Sequence, residues 1–426
     1  MDDLLLVIAV LLPCWYGYRR SVSRGLVEIN HVTTLTFGFL FYWITPLAVR
    51  VWASQVEFPL SSAWFAFFRA RLIAPYALSC IALYLCLVLG DTVGIFVFRE
   101  GEHKAVTTVV PKPALSVVTL AACALMVYSG FVFRAALFKR ATPTSLEVGV
   151  ARGAVTACII LLGAVAIIFT LDHPEIPWRK RLFTPHFVAL IAGGGMMVIL
   201  GSRLYVASLL VMFLIYQTNF RARYKLKTVV AASIVFAFLF GAVGTWREGS
   251  SVTGAFFNVL LEPMEDSLSL VHHLRYKGIA WLNAPTQLAS DFENLIPTVL
   301  MPNKLYEMKK PDAYRPLGGL HSFVSFNLNF GILGSALFWF LWPMGFRYLK
   351  SRSSSTLFAT IYIMCSGWLT FTFFRDPFSI SLVKCIFEDS ILVPFVIVGF
   401  GRLLSTACSP AGNTIVLTLP PQPDSS

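Results

Sequence analysis

The feature that most constrains this chain is a recurrence of apolar stretches about 20 residues long, the length at which an α-helix crosses the ~30 Å hydrocarbon core of a bilayer. They run over 3–18, 26–49, 72–98, 114–133, 149–171, 184–201, 203–220, 228–245, 322–346, 356–374 and 386–405, about eleven in all. Backbone groups in lipid must be satisfied within the protein, which leaves helices or closed barrels. The chain lacks the alternating ten-residue pattern of barrel strands, so the spans are expected to be helical. Composition agrees: 57% of the residues are hydrophobic and 13% charged, about half the charge that covers a soluble domain. A Rossmann domain, a β-sandwich and a nucleic-acid-binding module are therefore excluded. The expectation is an all-α polytopic membrane protein with a helical external cap. The segment 52–71, with Trp52, Trp64, Phe65, Phe67 and Phe68 ahead of Arg69 and Arg71, reads as an interfacial helix.

The net charge of +12 resides in short clusters between the spans, where it sets orientation rather than recruiting a polyanion. Arg179-Lys180-Arg181, the run Arg221, Arg223, Lys225, Lys227, and the run Arg347, Lys350, Arg352 fall on one side, expected to be cytoplasmic. Arg19, Arg20 and Arg24 share that side, whereas Arg134, Lys139 and Arg140 fall on the other. Eight cysteines occupy mostly apolar stretches without metal-ligand spacing and read as small core residues. The run Leu4–Leu12 follows two aspartates rather than a basic segment and has no small-residue cleavage site. It is expected to be the first span, not a signal peptide.

This orientation places the Ser202-Arg203 junction, the long segment from Trp246 to His321 and the Arg375-Asp376 turn on the external side. Loops that long are either functional or disordered. Phe256, Leu260, Met264, Leu268, Val271 and Leu274 recur at helical spacing, and a second apolar cluster follows Trp281, so a packed cap is expected. An arginine beside hydrocarbon, such as Arg203, either snorkels or meets an anion. Arg247 either pairs with Glu248 or does likewise. Arg315 and Arg375 add two more external guanidinium groups, which stay charged and donate in pairs, as phosphate oxygens require.

Three of the seven histidines, His272, His273 and His321, lie in this segment. Adjacent His272 and His273 point about 100° apart on a helix, so no metal site is expected of them. They read as surface or structural residues. Glu265, Ser269 and His272 share a helix face, either solvated or able to bind sugar hydroxyls. His321 follows Gly318-Gly319 and opens an apolar helix, so its ring is expected at the membrane boundary. There it serves either as a general base or as a backbone-bonded helix terminus. Asn327 and Asn329 on that helix read as interhelical packing groups or ligand contacts.

These pieces resemble the Wzy-type O-antigen polymerases, relatives of the O-antigen ligases, over roughly residues 185–380. Four features carry the resemblance: Gly201-Ser202-Arg203 at a helix junction, Trp246-Arg247 two spans later, Ile296-Pro297 with Pro302-Asn303-Lys304 in the long loop, and Gly318-Gly319 through Asn329-Phe330-Gly331-Ile332-Leu333-Gly334. The resemblance implies a GT-C-like bundle and a glycosyltransferase that needs no metal or other cofactor. Donor and acceptor would be undecaprenyl-diphosphate-linked oligosaccharides, with a chain-length regulator as a further partner and no nucleic acid. In the ligases a His-[Asn/Ser/Gln] pair precedes a GxxG at a fixed interval. His321-Ser322 and Gly331 to Gly334 are similar, but the interval is one residue shorter. By the same analogy His321, Arg203 and Arg247 are the catalytic candidates, and Arg315, Arg375, Glu265 and Lys304 the substrate-binding ones.

The expected organisation is an N-terminal helical part (1–183), a central helical part (184–245), a periplasmic cap (246–321), C-terminal helices (322–405) and a tail (406–426), in the inner membrane of a bacterium. Glycan ligation to another acceptor is the nearest alternative. A transporter of the same lipid-linked glycan is another, and its mark would be paired broken helices in two repeats. No internal repeat is visible in the sequence. A non-catalytic membrane protein, whose cap arginines tolerate alanine, is the third.

Overall fold

The computed structural model describes residues 2–52, 70–98, 110–132, 146–199, 203–235, 252–285 and 321–408. The protein is mostly helical. Helix α1 (Asp2–Ser21) ends in a hairpin of β1 (Val22–Ser23) and β2 (Leu26–Val27). Arg24 and Gly25 turn it with φ of 52° and 75°, the positive values that primed hairpin turns need. A rod follows: α2 (His31–Phe39), a π-helical turn (Leu40–Ile44) and α3 (Thr45–Trp52). Then come α4 (Ala70–Val97), α5 (Lys112–Val132), α6 (Leu146–Asp172), the short α7 (Trp178–Arg181), α8 (Pro185–Ile199) and α9 (Arg203–Phe220). Strand β3 (Tyr224–Lys225) pairs antiparallel with β2, Val27 opposite Tyr224, and leads into α10 (Leu226–Val235). The last elements are α11 (Val252–Tyr276), α12 (Ser322–Ser351), α13 (Thr356–Trp368), α14 (Thr372–Arg375), a π-helix (Ser379–Leu392) and α15 (Val393–Cys408).

Among the described residues, five helices are long and apolar enough to cross a bilayer: His31–Val49, Leu72–Val97, Lys112–Val132, Gly153–Asp172 and Ser322–Ser351. Shorter apolar helices stand at Pro185–Ile199, Leu204–Phe220, Leu226–Val235 and Thr356–Trp368. The architecture is that of a helical membrane protein, with three two-residue strands among the described residues as an exception to the all-α expectation. The stretch expected to be helical from residue 26 instead completes the hairpin. Asn30 then starts the helix, its Oδ1 accepting from the Val32 and Thr33 amides while Thr33 Oγ1 accepts from the Asn30 amide. The expected interfacial helix lies mostly outside the described residues. Among the described cysteines, all free, Cys80, Cys158, Cys365 and Cys385 are buried, whereas Cys14 is exposed.

Helices α4 and α12 pack in parallel, with Gly90 against Phe340 and Gly94 against Arg347 and Met344. A Cβ on Gly90 would stand 1.9 Å from the Phe340 carbonyl oxygen. This is the close backbone approach that small residues permit in membrane bundles. Gly90→Ala is expected to destabilise by about 1–3 kcal/mol through overpacking, read as a lower melting temperature in detergent. A variant that melts like the native protein would mean that the two helices do not touch here.

At one end of this pair the basic residues converge. Asp91, fully buried on α4, accepts from Arg347 Nε (2.6 Å) and NH2 (3.1 Å) on α12 and from the Tyr16 hydroxyl (2.6 Å) on α1. Arg20 Nε lies 3.3 Å away. His31 Nε2 stands 3.3 Å from the same carboxylate, and its Nδ1 is 3.2 Å from the Tyr362 hydroxyl on α13. One turn on, Glu28 binds Lys350 and Arg223. Four helices thus meet on two carboxylates, and α13 joins them through His31. Arg20, Arg223, Arg347 and Lys350 share one end of the bundle, as the charge pattern leads one to expect.

Helix α12 is broken. Gly331 takes φ 70° and ψ −174°, a conformation essentially confined to glycine. The segment after α11 fills the gap: Ala280 O accepts the Ile332 amide (2.9 Å) and Trp281 O the Leu333 amide (3.3 Å). Beyond the break, 332–351 alone has the length to span the hydrocarbon. The first half, 322–330, with most of its side chains buried in protein, belongs to the end opposite the ionic hub.

Candidate functional site

The parallel helices give a ruler. Trp43 lies about 18 Å along its rod from His31, and Tyr76 about 22 Å along α4 from Asp91, at 1.5 Å per residue. Both therefore stand at the end opposite the ionic hub, and His321 joins them there. The His321 ring is fully buried. It stacks on Trp43 (centroids 4.6 Å, planes 23° apart) and meets Tyr76 edge-on at 5.9 Å. Trp339 and Phe374 pack on Trp43 from other sides. The His321 amide donates to Ser269 Oγ (2.9 Å), whose hydroxyl donates to the Asp266 carbonyl (2.7 Å). Helix α11 therefore roofs the histidine. Neither ring nitrogen of His321 has a hydrogen-bond partner among the described residues.

Beside it a second polar group closes the roof. His273 Nε2 lies 2.9 Å from Asn327 Oδ1, Asn327 Nδ2 donates to the Ala280 carbonyl (3.3 Å), and Asn283 Nδ2 donates to the Asn327 carbonyl (2.8 Å). Asn329 Nδ2 caps the Ser325 carbonyl, and Ser325 Oγ accepts the Phe378 amide. The last bond draws the Arg375-Asp376 turn to the same end. His273 is buried, as a structural histidine should be, while His272 is half-buried against Tyr276 (4.7 Å). The helix face expected to carry Glu265, Ser269 and His272 in solvent is different at Ser269. That residue is buried because the first half of α12 packs beneath α11.

Each candidate has a definite place or lies outside the description. His321 is the residue before α12, without a side-chain cap bond. Arg375 closes α14, directly after the Phe374 that packs on Trp43, with Asp376 Oδ1 4.0 Å from its NH1. Arg203 opens α9, and two residues on Tyr205 meets Trp368 edge-on at 5.2 Å. That contact puts the start of α9 beside the end of α13, at the end that holds Arg375. Glu265 sits on α11 next to buried Met264 and Asp266. The side chains of Arg203 and Glu265, and all of Arg247, Lys304 and Arg315, lie outside the described residues. The aromatic walls Trp43 and Tyr76 were missed in the sequence reading, since an aromatic inside an apolar run carries no signal of what it faces. Asp91 was legible in principle, as an ionisable residue within an apolar span.

Burial without a polar partner pushes the His321 pKa from 6.5 down to about 3, and burial also lowers that of His273 against the opposing pull of Asn327. The unfolded chain therefore binds protons that the folded protein excludes. Stability from the His321 ring is fully present above ~6.5 and is lost as pH falls from there toward 3, by up to about 1.4 kcal/mol per unit, and the lowered His273 adds a loss of the same sign below ~6.5. Melting in detergent should fall more steeply between pH 7 and 5 for the native protein than for His321→Phe. Equal slopes would show that the ring is hydrated.

The site unites a buried imidazole, an aromatic wall and a roof of hydroxyl and amide groups at the end of the helices opposite the ionic hub. Comparison of the chain with protein-family models, with curated proteins and with solved structures finds no match.

Proposed function

We propose that this protein is a glycosyltransferase that joins lipid-diphosphate-linked oligosaccharide repeats into a polymer, as the resemblance to the Wzy-type polymerases implies. In this reading about eleven spans cross the inner membrane of a bacterium in a GT-C-like bundle, with the ionic hub cytoplasmic and the His321 site periplasmic. The observation that carries it is the His321 ring, held between Trp43 and Tyr76 under the roof of α11. An amphiphile with its tail in lipid presents its sugar at this level. A hydroxyl oxygen of the incoming repeat attacks the anomeric carbon of the polymer's reducing-end sugar while the bond to the diphosphate oxygen breaks. The undecaprenyl diphosphate leaves with the bonding electrons, and His321 takes the hydroxyl proton. A ring so reluctant to charge in its dry pocket gains basicity when the polar substrate enters beside it. Arg203 and Arg247, with Arg315 and Arg375, would stabilise the diphosphate as its charge develops.

One observation favours a second reading. Many secondary transporters build their substrate sites from interrupted helices, and α12 is interrupted at Gly331. Here, though, the break is filled by Ala280 and Trp281, and no corresponding break stands in a second repeat among the described residues. The two readings separate in one experiment. Purified protein in detergent, given a synthetic undecaprenyl-diphosphate repeat unit and EDTA, should yield a ladder of products. His321→Ala, Arg203→Ala and Arg247→Ala should each reduce it at least about 100-fold, the scale of a lost base or oxyanion donor, in protein that is still folded at the assay temperature, the buried His321→Ala melting earlier because of the cavity it leaves. Movement of the substrate across vesicles without a ladder would replace the polymerase with the transporter.

A further inference from the structure

The segment that fills the helix break looks, in sequence, like part of a water-exposed cap, yet it presents apolar groups outward. Trp281 and Leu282 are 74% and 70% exposed, and Tyr276 and Ile279 beside them are also exposed. In water such a cluster would be a liability. Its neighbours indicate what covers it. The backbone of 280–282 lies against Gly331, and Ala280 and Trp281 accept the amides of Ile332 and Leu333. From that contact Leu333, Leu337 and Leu341 run down α12 at i, i+4 and i+8, all exposed on a helix that is apolar enough to span. That stripe faces acyl chains, and the exposed cluster continues it.

Helix length fixes the depth. Residues 332–351 end at the basic hub and rise about 30 Å, the hydrocarbon thickness. The break, and the strap lying on it, therefore stand at the opposite boundary, where tryptophan is favoured. Irregular backbone at this depth is tolerated only where its polar groups are paired, and the two strap carbonyls supply that pairing.

We propose that residues 279–282 form a membrane-inserted strap whose partner is the acyl-chain region of the bilayer lipids on the side away from the ionic hub. The strap ties the end of α11 to the break in α12, so the roof over His321 is anchored in lipid rather than suspended in water. This inference stands independently of the catalytic reading.

The test places a fluorescent amino acid, by codon suppression in the otherwise native chain, at 281 or 282. Position 120 on α5, 72% exposed on a spanning helix, serves as the lipid reference. Glu175, whose side chain is 68% exposed beside His173, is the aqueous one. Protein in phosphatidylcholine–phosphatidylglycerol vesicles is quenched either by acyl-chain-brominated lipid or by aqueous iodide. The strap positions should be quenched by brominated lipid as position 120 is, and shielded from iodide. Iodide quenching at 281 and 282 matching that at 175 would overturn the proposal. A labelled protein that melts early is replaced by the label at Ile279, to which the same two outcomes apply.

Discussion

Asp91→Ala is expected to cost about 3–5 kcal/mol of folding stability, the range for removing one partner from a buried ion pair. The magnitude follows from what is left behind. Arg347, nearly buried, loses both of its bonds to the carboxylate, and Tyr16 loses its 2.6 Å acceptor. Arg20 and His31 lose the charge they face. A buried guanidinium that loses this bidentate carboxylate is costly at such depth, where lipid offers no comparable acceptor. Asp91→Asn keeps one acceptor oxygen and should be milder.

The informative comparison is Asp91→Leu combined with Arg347→Leu. It removes both charges together and should recover much of the loss, because a buried pair is costly mainly when broken. Chemical denaturation in detergent of the single and double variants measures the coupling directly. A loss under about 1 kcal/mol in Asp91→Ala, the scale of an exposed pair, would mean that water reaches the hub. Because the hub joins α1, the α2 rod, α4, α12 and α13, the same variant should loosen the site about 20 Å away, and any activity should fall with stability rather than independently of it.

How much of this was legible in the sequence depends on the distance over which the information acts. Hydropathy is local, so most of the described helices fall on the apolar runs. Their bounds differ where backbone geometry rather than hydropathy sets the element: the hairpin at Arg24-Gly25, the break at Gly331, the turn between Trp368 and Thr372 and the π-helical start at Ser379. Charge clustering is also local, and it gathered Arg20, Arg223, Arg347 and Lys350 at one end. The site was legible only in part. His321 stood out because histidine is scarce and because it precedes an apolar helix. Its setting between Trp43 and Tyr76 joins residues far apart in the chain, which no periodicity encodes. Ser269 was misjudged for the same reason. A helix seen alone shows which residues share a face, but the first half of α12 decides which face is covered. Gly331 belonged to the Asn329–Gly334 motif, but the motif does not say that the glycine breaks the helix, nor that residues 280–282 lie in the gap.

The second large effect is expected at that glycine. Gly331→Val should destabilise by roughly 2–6 kcal/mol, combining about 1–3 for a β-branched residue at φ 70°, ψ −174° with about 1–3 for overpacking. The added Cβ would stand 2.6 Å from both Trp281 O and Leu282 Cα. These are backbone atoms, which cannot swing aside as a side-chain tip can. Two relaxations are open. The strap can lift, stranding the Ile332 and Leu333 amides beside lipid, or α12 can straighten, which carries His321 away from Trp43. Either route dismantles the roof of α11 over the histidine while leaving the ionic hub intact. Gly331→Ala, without branching, takes the same course less severely. The variants should therefore melt earlier, and protease should cleave them near Gly278, whereas Gly90→Ala, which disturbs the packing of the spans, should not open that loop. Native-like melting and protection in Gly331→Val would show that the break in α12 is not held by the strap.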